Sequence, residues 1–308
     1  MKQSIIDIGS NSIRLTVYSL EEDQSFRILF KEKNMAGLAG YINRKKLSEE
    51  GILRACCALL EFRNTLDLLH LHRVSVFATA SLRNISNREE ALGRMEEVSG
   101  FSIEILDGNM EALLGYTGAM EDLHLESGIF TDIGGGSTEL VSFEQGEIQN
   151  SASFDVGSLS LYRRCVRNIL PGKASLERIR EVLEEEIDEK QFPKEKHSPL
   201  IGVGGSCRAV MNLGREFFSL PASCKSLSQE QFQELAEFLC LGKEKRADFI
   251  LKTEAERIHT LIPGMMILQH LMEHFDSDEL IVSRYGVREG FLCQRILKRS
   301  TLTHKIAN

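Results

Sequence analysis

The chain has 308 residues, 42% hydrophobic and 27% charged, with no tryptophan and only 5 prolines. That composition excludes a disordered or low-complexity chain and gives length for one large or two ordinary domains at about 150 residues each. The net charge of -8 excludes a broad nucleic-acid surface, although a local cluster of cations and backbone N–H groups can still focus potential on an anionic ligand.

No run approaches the roughly 18 to 20 apolar residues of a membrane span. Lys2 leads straight into Ile5-Ile6-Asp7 without a signal-peptide core. Seven cysteines (Cys56, Cys57, Cys165, Cys207, Cys224, Cys240, Cys293) are scattered without CxxC or Cys/His spacing. They suggest neither a disulfide framework nor a zinc site. The expectation is a cytoplasmic protein with reduced thiols and with neither membrane nor nucleic acid as partner.

In chain order, the apolar run ending at Asp7-Ile8 meets a Gly/Ser turn and a second apolar run, Leu15-Thr16-Val17-Tyr18, which reads as strand, turn, strand. Helical spacing predicts a helix over about Ser48 to Leu69, and Val74 to Phe77 reads as a buried strand. A second helix is predicted near Arg88 to Ser99, a strand at Phe101 to Leu106, and a helix beginning around Asn109. A domain boundary is expected near Leu123 to Ser127, dividing the chain into 1–124 and 125–308. Beyond it, Thr131 to Leu140 repeats the strand–turn–strand pattern. Helical segments follow at about Ser175 to Glu186, Ser228 to Cys240, Lys243 to Leu251 and Pro263 to Phe275. Strands are predicted at Pro199 to Val203 and Glu279 to Val282, and Lys190 to Lys196 reads as a solvated loop. The order is mixed α/β.

The organising feature is an internal repeat. Ile6-Asp7-Ile8-Gly9-Ser10-Asn11-Ser12-Ile13-Arg14-Leu15 is echoed by Thr131-Asp132-Ile133-Gly134-Gly135-Gly136-Ser137-Thr138-Glu139-Leu140, with Asp, Ile, Gly, Ser and Leu coinciding without a gap. Small residues in such a turn let backbone N–H groups approach an anion, and serine hydroxyls add donors. One copy alone would be an ordinary hairpin; two copies suggest a phosphate clamp. In the second copy, Asp132 and Glu139 are hard oxygen donors beside the turn, as Mg2+ prefers. Asp7 has the same option in the first. The less favoured reading of Glu139 is an exposed strand residue.

Seven ordered blocks resemble the exopolyphosphatase and guanosine pentaphosphate phosphohydrolase (Ppx/GppA) family. They are Asp7 to Ser12, Phe77-Ala78-Thr79-Ala80-Ser81-Leu82-Arg83 with Asn87, Gly108-Asn109-Met110-Glu111-Ala112, Asp132 to Leu140, Gly202-Val203-Gly204-Gly205-Ser206, Pro263-Gly264, and Gly286-Val287-Arg288-Glu289-Gly290. The resemblance runs nearly end to end. It implies two actin-like (ribonuclease H-like) domains, each a mixed sheet flanked by helices, with an interdomain cleft, in the short form that lacks a further helical domain.

By the same resemblance, Glu111 is the general base that activates water, and Asp132 and Glu139 serve the metal. Arg83, Asn87, Gly9, Ser10, Asn11, Ser12, Gly134, Gly135, Gly136 and Ser137 hold phosphates, while Gly205 and Ser206 line the substrate channel. These parts suit phosphoryl transfer, in which the protein mainly positions groups and stabilises charge. Taken without the resemblance, Glu111 is a routine helix residue, Arg83 is open between ion pair and phosphate ligand, Gly204 to Ser206 could be a tight turn, and Arg288-Glu289 is best read as a structural ion pair.

The sequence departs from the family where Met110 and Leu113 flank Glu111, where Lys33 to Leu38 lacks the usual Arg-Leu-Gly, and where His259 replaces an Asp after Glu256-Arg257-Ile258. The expected activity is Mg2+-dependent release of terminal orthophosphate from inorganic polyphosphate. Guanosine pentaphosphate is the alternative substrate, and a non-hydrolysing phosphate-chain or alarmone sensor is the alternative of another class. A kinase or ATPase on the same fold is less favoured, because no sugar pocket is readable. A homodimer is the family expectation. Lys31, Lys33, Arg44, Lys45 and Lys46 are candidates to grip a polymer, or else an ordinary solvated face.

Overall fold

The computed structural model describes residues 1–188, 192–193, 199–241 and 244–299. The loop expected at Lys190 to Lys196 falls outside these residues except for Phe192 and Pro193, and the predicted helix start at Lys243 also falls outside. The chain divides into two compact units, Met1–Met110 and Glu111–Asn308.

In the first unit, β1 (Lys2–Ile8), β2 (Ile13–Leu20) and β3 (Phe26–Asn34) form an antiparallel meander. A small hairpin, β4 (Ile42–Asn43) and β5 (Lys46–Leu47), leads into α1 (Glu49–Leu68). Then come β6 (Val74–Ala78), α2 (Ala80–Arg83), α3 (Arg88–Ser99) and β7 (Ile103–Ile105). The sheet order is β3-β2-β1-β6-β7, with β6 and β7 parallel to β1. The start of α1 is legible in its chemistry: the Ser48 hydroxyl accepts from Gly51 N at 3.3 Å, and Glu49 and Glu50 occupy the positive end of the helix dipole. Its apolar stripe, Ile52, Ala55, Leu59, Phe62 and Leu66, is buried in this unit's core.

The second unit repeats the plan. Helix α4 (Gly108–Leu123) carries the chain into it, followed by the meander β8 (Gly128–Ile133), β9 (Thr138–Glu144) and β10 (Glu147–Phe154). Next are α5 (Ser158–Cys165), α6 (Lys173–Leu183), β11 (Leu200–Val203) and α7 (Gly204–Phe217). The remaining elements are β12 (Ser226–Ser228), α8 (Gln229–Leu241), α9 (Glu244–Glu254), α10 (Leu261–His274), β13 (Glu279–Val282) and α11 (Val287–Phe291). The order β10-β9-β8-β11-β13-β12 reproduces the first sheet and adds β12 antiparallel at its edge. The 125-residue echo in the sequence is therefore a repeat of topology. Both units are mixed sheets flanked by helices. Among the described residues no helix is long and apolar enough to cross a membrane.

The division between units falls at the start of α4, earlier than the Leu123 to Ser127 segment suggested by the sequence, and packing explains the difference. A Cβ on Gly115 would lie 2.7 Å from the ring of Phe130 on β8. One on Gly118 would collide with the Gly286 carbonyl, and one on Gly290 with the Leu114 carbonyl. Helix α4 thus lies directly on the backbone that opens α11. Its last turn is fastened by Asp122, whose side chain is 1% exposed and takes Lys225 Nζ at 3.0 Å, Arg284 Nη2 at 2.8 Å and Arg284 N at 3.0 Å. Burial would raise this carboxyl, but the Arg284 and Lys225 hydrogen bonds prevail and hold it down at about 2.

Gly118→Ala is expected to cost about 2–3 kcal/mol in urea unfolding, because its obstacle is backbone that cannot rotate away. For Asp122, the stabilisation is present above its ordinary value of 3.8 and is lost as pH falls through about 2. Since Arg284 is 70% exposed, the effect is on the order of 1 kcal/mol. Melting curves taken between pH 4 and pH 2 should show a steeper loss for the native chain than for Asp122→Asn.

Candidate active site

Each unit contains a turn of the same build. In the first, Gly9 N donates to Ser12 O at 3.2 Å; in the second, Gly134 N donates to Ser137 O at 3.0 Å. At both glycines a Cβ would press on that same carbonyl, at 3.1 Å and 3.2 Å. The repeat in sequence is a repeat of hydrogen bonding.

In the first unit, Asp7 is half-buried near the end of β1, with its carboxylate beside Gly9. The Ser10 and Asn11 carbonyls accept from Ala39 N and Gly37 N at 2.9 and 3.0 Å, and the Ser12 hydroxyl accepts from Arg14 Nε at 3.0 Å. These bonds fix the turn from behind. The Ser81 hydroxyl ties α2 to the Ile8 carbonyl at 3.0 Å, and Arg83 Nη1 donates to the Leu106 carbonyl at 3.2 Å. Asn87 is engaged differently: its Oδ1 accepts from Leu47 N at 2.9 Å and its Nδ2 donates to Leu47 O at 3.0 Å. Both ends of the amide clasp the β4–β5 hairpin, whose turn exposes Arg44, Lys45 and Lys46. Lys31 and Lys33 are exposed two residues apart on β3.

In the second unit, the turn carbonyls are drawn to one side. Gly134 O accepts from Ser158 N at 3.0 Å and from its hydroxyl at 3.1 Å, and Gly135 O accepts from Leu159 N and Ser160 N at 2.9 Å each. The N-terminus of α5 therefore holds the carbonyls, and among the described residues no partner accepts from the N–H of Gly135 or Gly136. These N–H groups are available for an anion.

Asp132 and Glu139 are register partners across β8 and β9, and Ser153 is the partner of Glu139 on β10, which places all three in one row on one face. Glu139 is 1% exposed, so it is no ordinary exposed strand residue, and its Oε1 accepts from the Ser153 hydroxyl at 2.9 Å. Burial first, then the charges of Glu111 and Asp132, push its carboxyl well above the ordinary value; hydrogen bonds from Ser137 and Ser153 oppose this without cancelling it. Glu111 is itself 7% exposed, in the first turn of α4, and Asp107 Oδ1 accepts from Met110 N at 2.8 Å just ahead of it. The second unit thus brings together Glu111, Asp132 and Glu139.

Among the described residues no group of three or more His, Cys, Asp or Glu forms a metal cage. Mg2+ takes only one or two carboxylates and keeps its waters, and three mutually repelling acids beside an open turn fit it. A Cβ on Gly204, where φ is +86°, would lie 2.5 Å from Asp132 Oδ1, so only glycine lets the start of α7 approach that carboxylate. Ser206 is 2% exposed and packs against Gly264, and Arg257 lies over Gly205.

One residue escaped the sequence reading: Arg208, on α7, feels the charges of Arg288, Asp132, Arg257 and Glu289, and nothing in the spacing marks it. Glu289, read from the sequence as the ion-pair partner of Arg288, acts as a cap, its Oε2 accepting from Gly286 N at 3.0 Å. His259 has its ring 4.9 Å from that of Tyr162.

The profile of the Ppx/GppA phosphatase family matches residues 16–299. The "Exopolyphosphatase 2" of Mycobacterium tuberculosis is 25% identical over 306 residues, spanning 92% of this chain and 95% of the relative. A "Bifunctional 3-dehydroquinate synthase/phosphatase" of Fusobacterium nucleatum is 26% identical over 292 residues, spanning 90% of this chain but only 44% of the relative. A crystal structure of an exopolyphosphatase from Cytophaga hutchinsonii superposes with a TM-score of 0.87 at 22% identity, covering 98% of this chain and 100% of that one. The Aquifex aeolicus Ppx/GppA family member superposes with a TM-score of 0.78 at 26% identity, covering 97% and 99%.

The raised Glu139 carboxyl has a measurable sign. It favours folding below the ordinary value of 4.5, and that contribution is lost as pH rises toward its higher folded value. In metal-free buffer the melting temperature of the native chain should fall over that window, and Glu139→Gln should flatten the fall.

Proposed function

For a chain that belongs to the Ppx/GppA phosphatase family, we propose the function of a phosphoric anhydride hydrolase that releases terminal orthophosphate from inorganic polyphosphate in water. The observation that carries this reading is the grouping of Glu111, Asp132 and Glu139 beside the Gly134–Ser137 turn. The polyphosphate assignment is supported by the mycobacterial exopolyphosphatase, which this chain matches over nearly its whole length.

Glu111 takes the proton of the attacking water. Its place in the first turn of α4 sets its carboxyl within electrostatic reach of Glu139. Asp132 and Glu139 would hold Mg2+, which when bound neutralises charge on the phosphates. The N–H groups of Gly135 and Gly136, with the Ser137 turn, receive nonbridging oxygens, and Ser206 backs the Gly205 approach. In the first unit, Gly9, Ser10, Asn11, Ser12 and Arg83 are assigned to phosphate. Asn87 acts through Leu47 by holding the basic hairpin in place, rather than on phosphate directly. Asp7 is kept as a candidate metal-side carboxylate.

Orthophosphate release should be measured with long polyphosphate, tripolyphosphate, guanosine pentaphosphate and ATP in parallel, with Mg2+ or with chelator. Long polyphosphate is expected to be the best substrate, with release only when Mg2+ is present. Glu111→Gln should lower kcat by about 100-fold or more with little change in KM. Preference for guanosine pentaphosphate would move the substrate assignment. Binding of all four with release from none would remove the hydrolase reading in favour of a sensor. In a separate experiment without substrate, Mg2+ should raise the melting temperature of the native chain and do so much less for Glu139→Gln.

A further inference from the structure

The second unit contains a cavity of about 300 Å3 whose walls include Arg208, Arg215, Lys225 and Arg284, together with Asn212 and Ser223. That size is at the small end of ligand pockets. Among the described residues four cations line it, and no acid does.

The cations differ in how they are balanced. Lys225 and Arg284 share one carboxylate, the buried Asp122. Arg215 is held by neutral acceptors: its Nε donates to the Cys224 carbonyl at 2.9 Å and its Nη1 to Asn212 Oδ1 at 2.9 Å. The Asn212 amide in turn reaches Glu254 at 2.7 Å, so the nearest further acid is already engaged. Arg208 has no hydrogen bond or ion pair among the described residues. Burial, then repulsion from Arg288 and Arg257, depresses its affinity for a proton, and the charges of Asp132 and Glu289 offset this only in part.

Gathering such charges in a concavity is unfavourable unless an anion completes it, and guanidinium groups recognise phosphate oxygens in bidentate fashion. In a protein of net charge -8 the pocket is a local reversal of sign. The walls also include Met211, Ala222 and Val282, but among the described residues no aromatic ring on which a base could stack.

We propose that this pocket is a separate binding site for an oligophosphate group of two or three phosphates, carried by an inorganic chain or by a nucleotide. The site shares no residue with the Glu111, Asp132 and Glu139 group and does not rest on the hydrolase reading.

Lys225 reports on the pocket directly. Full-length protein carrying Glu111→Gln, in chelator so that nothing is turned over, is acetylated with and without inorganic tripolyphosphate or ATP, and modification is followed by mass spectrometry. Lys252, 75% exposed and paired with Glu216, serves as the internal control. A saturating ligand should slow modification of Lys225 by about fivefold or more while leaving Lys252 unchanged. Ser223→Glu, at an exposed position that adds a negative charge to the wall, and Arg208→Gln should each abolish the protection.

Protection by tripolyphosphate alone identifies an inorganic chain as the source; protection by ATP as well identifies the phosphate group whatever carries it; protection by ATP alone identifies a nucleotide. The proposal is overturned if neither compound protects, if sodium chloride of equal ionic strength protects as well, or if protection persists in both variants. A chain that failed to hydrolyse any phosphate would leave this result unaffected, so the two readings stand or fall separately.

Discussion

A carboxylate that is 1% exposed and carries two further acids in its field is the constraint around which the second unit is built. Glu139 would be less costly as leucine. Keeping it requires a serine on the next strand, a serine in the turn, and a face of the sheet on which β8, β9 and β10 align their register to within one residue. The same face must lie beside Gly204, because any larger residue there would strike Asp132. The sheet order, the two serines and the glycine are parts of one solution to the problem of concentrating negative charge where water is scarce.

The turn next to this group solves the opposite problem. Its carbonyls would repel an anion, and they are removed from play by the first N–H groups of α5, leaving the remaining N–H groups turned the other way. The first unit reaches a similar turn by a different support, with the backbone of the short segment around Gly37 and Ala39 taking the Ser10 and Asn11 carbonyls. Equivalent local chemistry has been braced by non-equivalent surroundings, which is why the repeat is strong over ten residues and fades outside them.

Much of the fold was legible where local signals agree. Ser48 with Glu49 and Glu50 marks a helix start, Val74 to Phe77 a buried strand, and Gly100, at φ +67°, the end of α3. The outer strands β3 and β10 were not legible, because an edge strand exposes one side and mixes Lys, Glu, Gln and Asn into its alternation. Helix α5 is not legible because eight residues, barely two turns, are too few to separate a helical period from other patterns.

The site was legible through the paired turns and through family blocks, whereas the burial of Glu139 was not, since a strand glutamate reads as exposed until the neighbouring layers are known. The engagement of Asn87 with Leu47 and the charges that surround Arg208 depend on residues about 40 to 80 positions away in the chain, and no spacing encodes either.

Helix α4 holds Glu111 in its first turn and Asp122 in its last, with Gly118 clamped to the α11 backbone between them. At 1.5 Å per residue the two acids are about 16 Å apart along one axis. A rod clamped at its middle and tied at its last turn resists sliding along its axis. The position of the candidate base is thereby set as much by the salt links at Lys225 and Arg284 as by its own neighbours, and the helix works as a ruler laid between two charged sites.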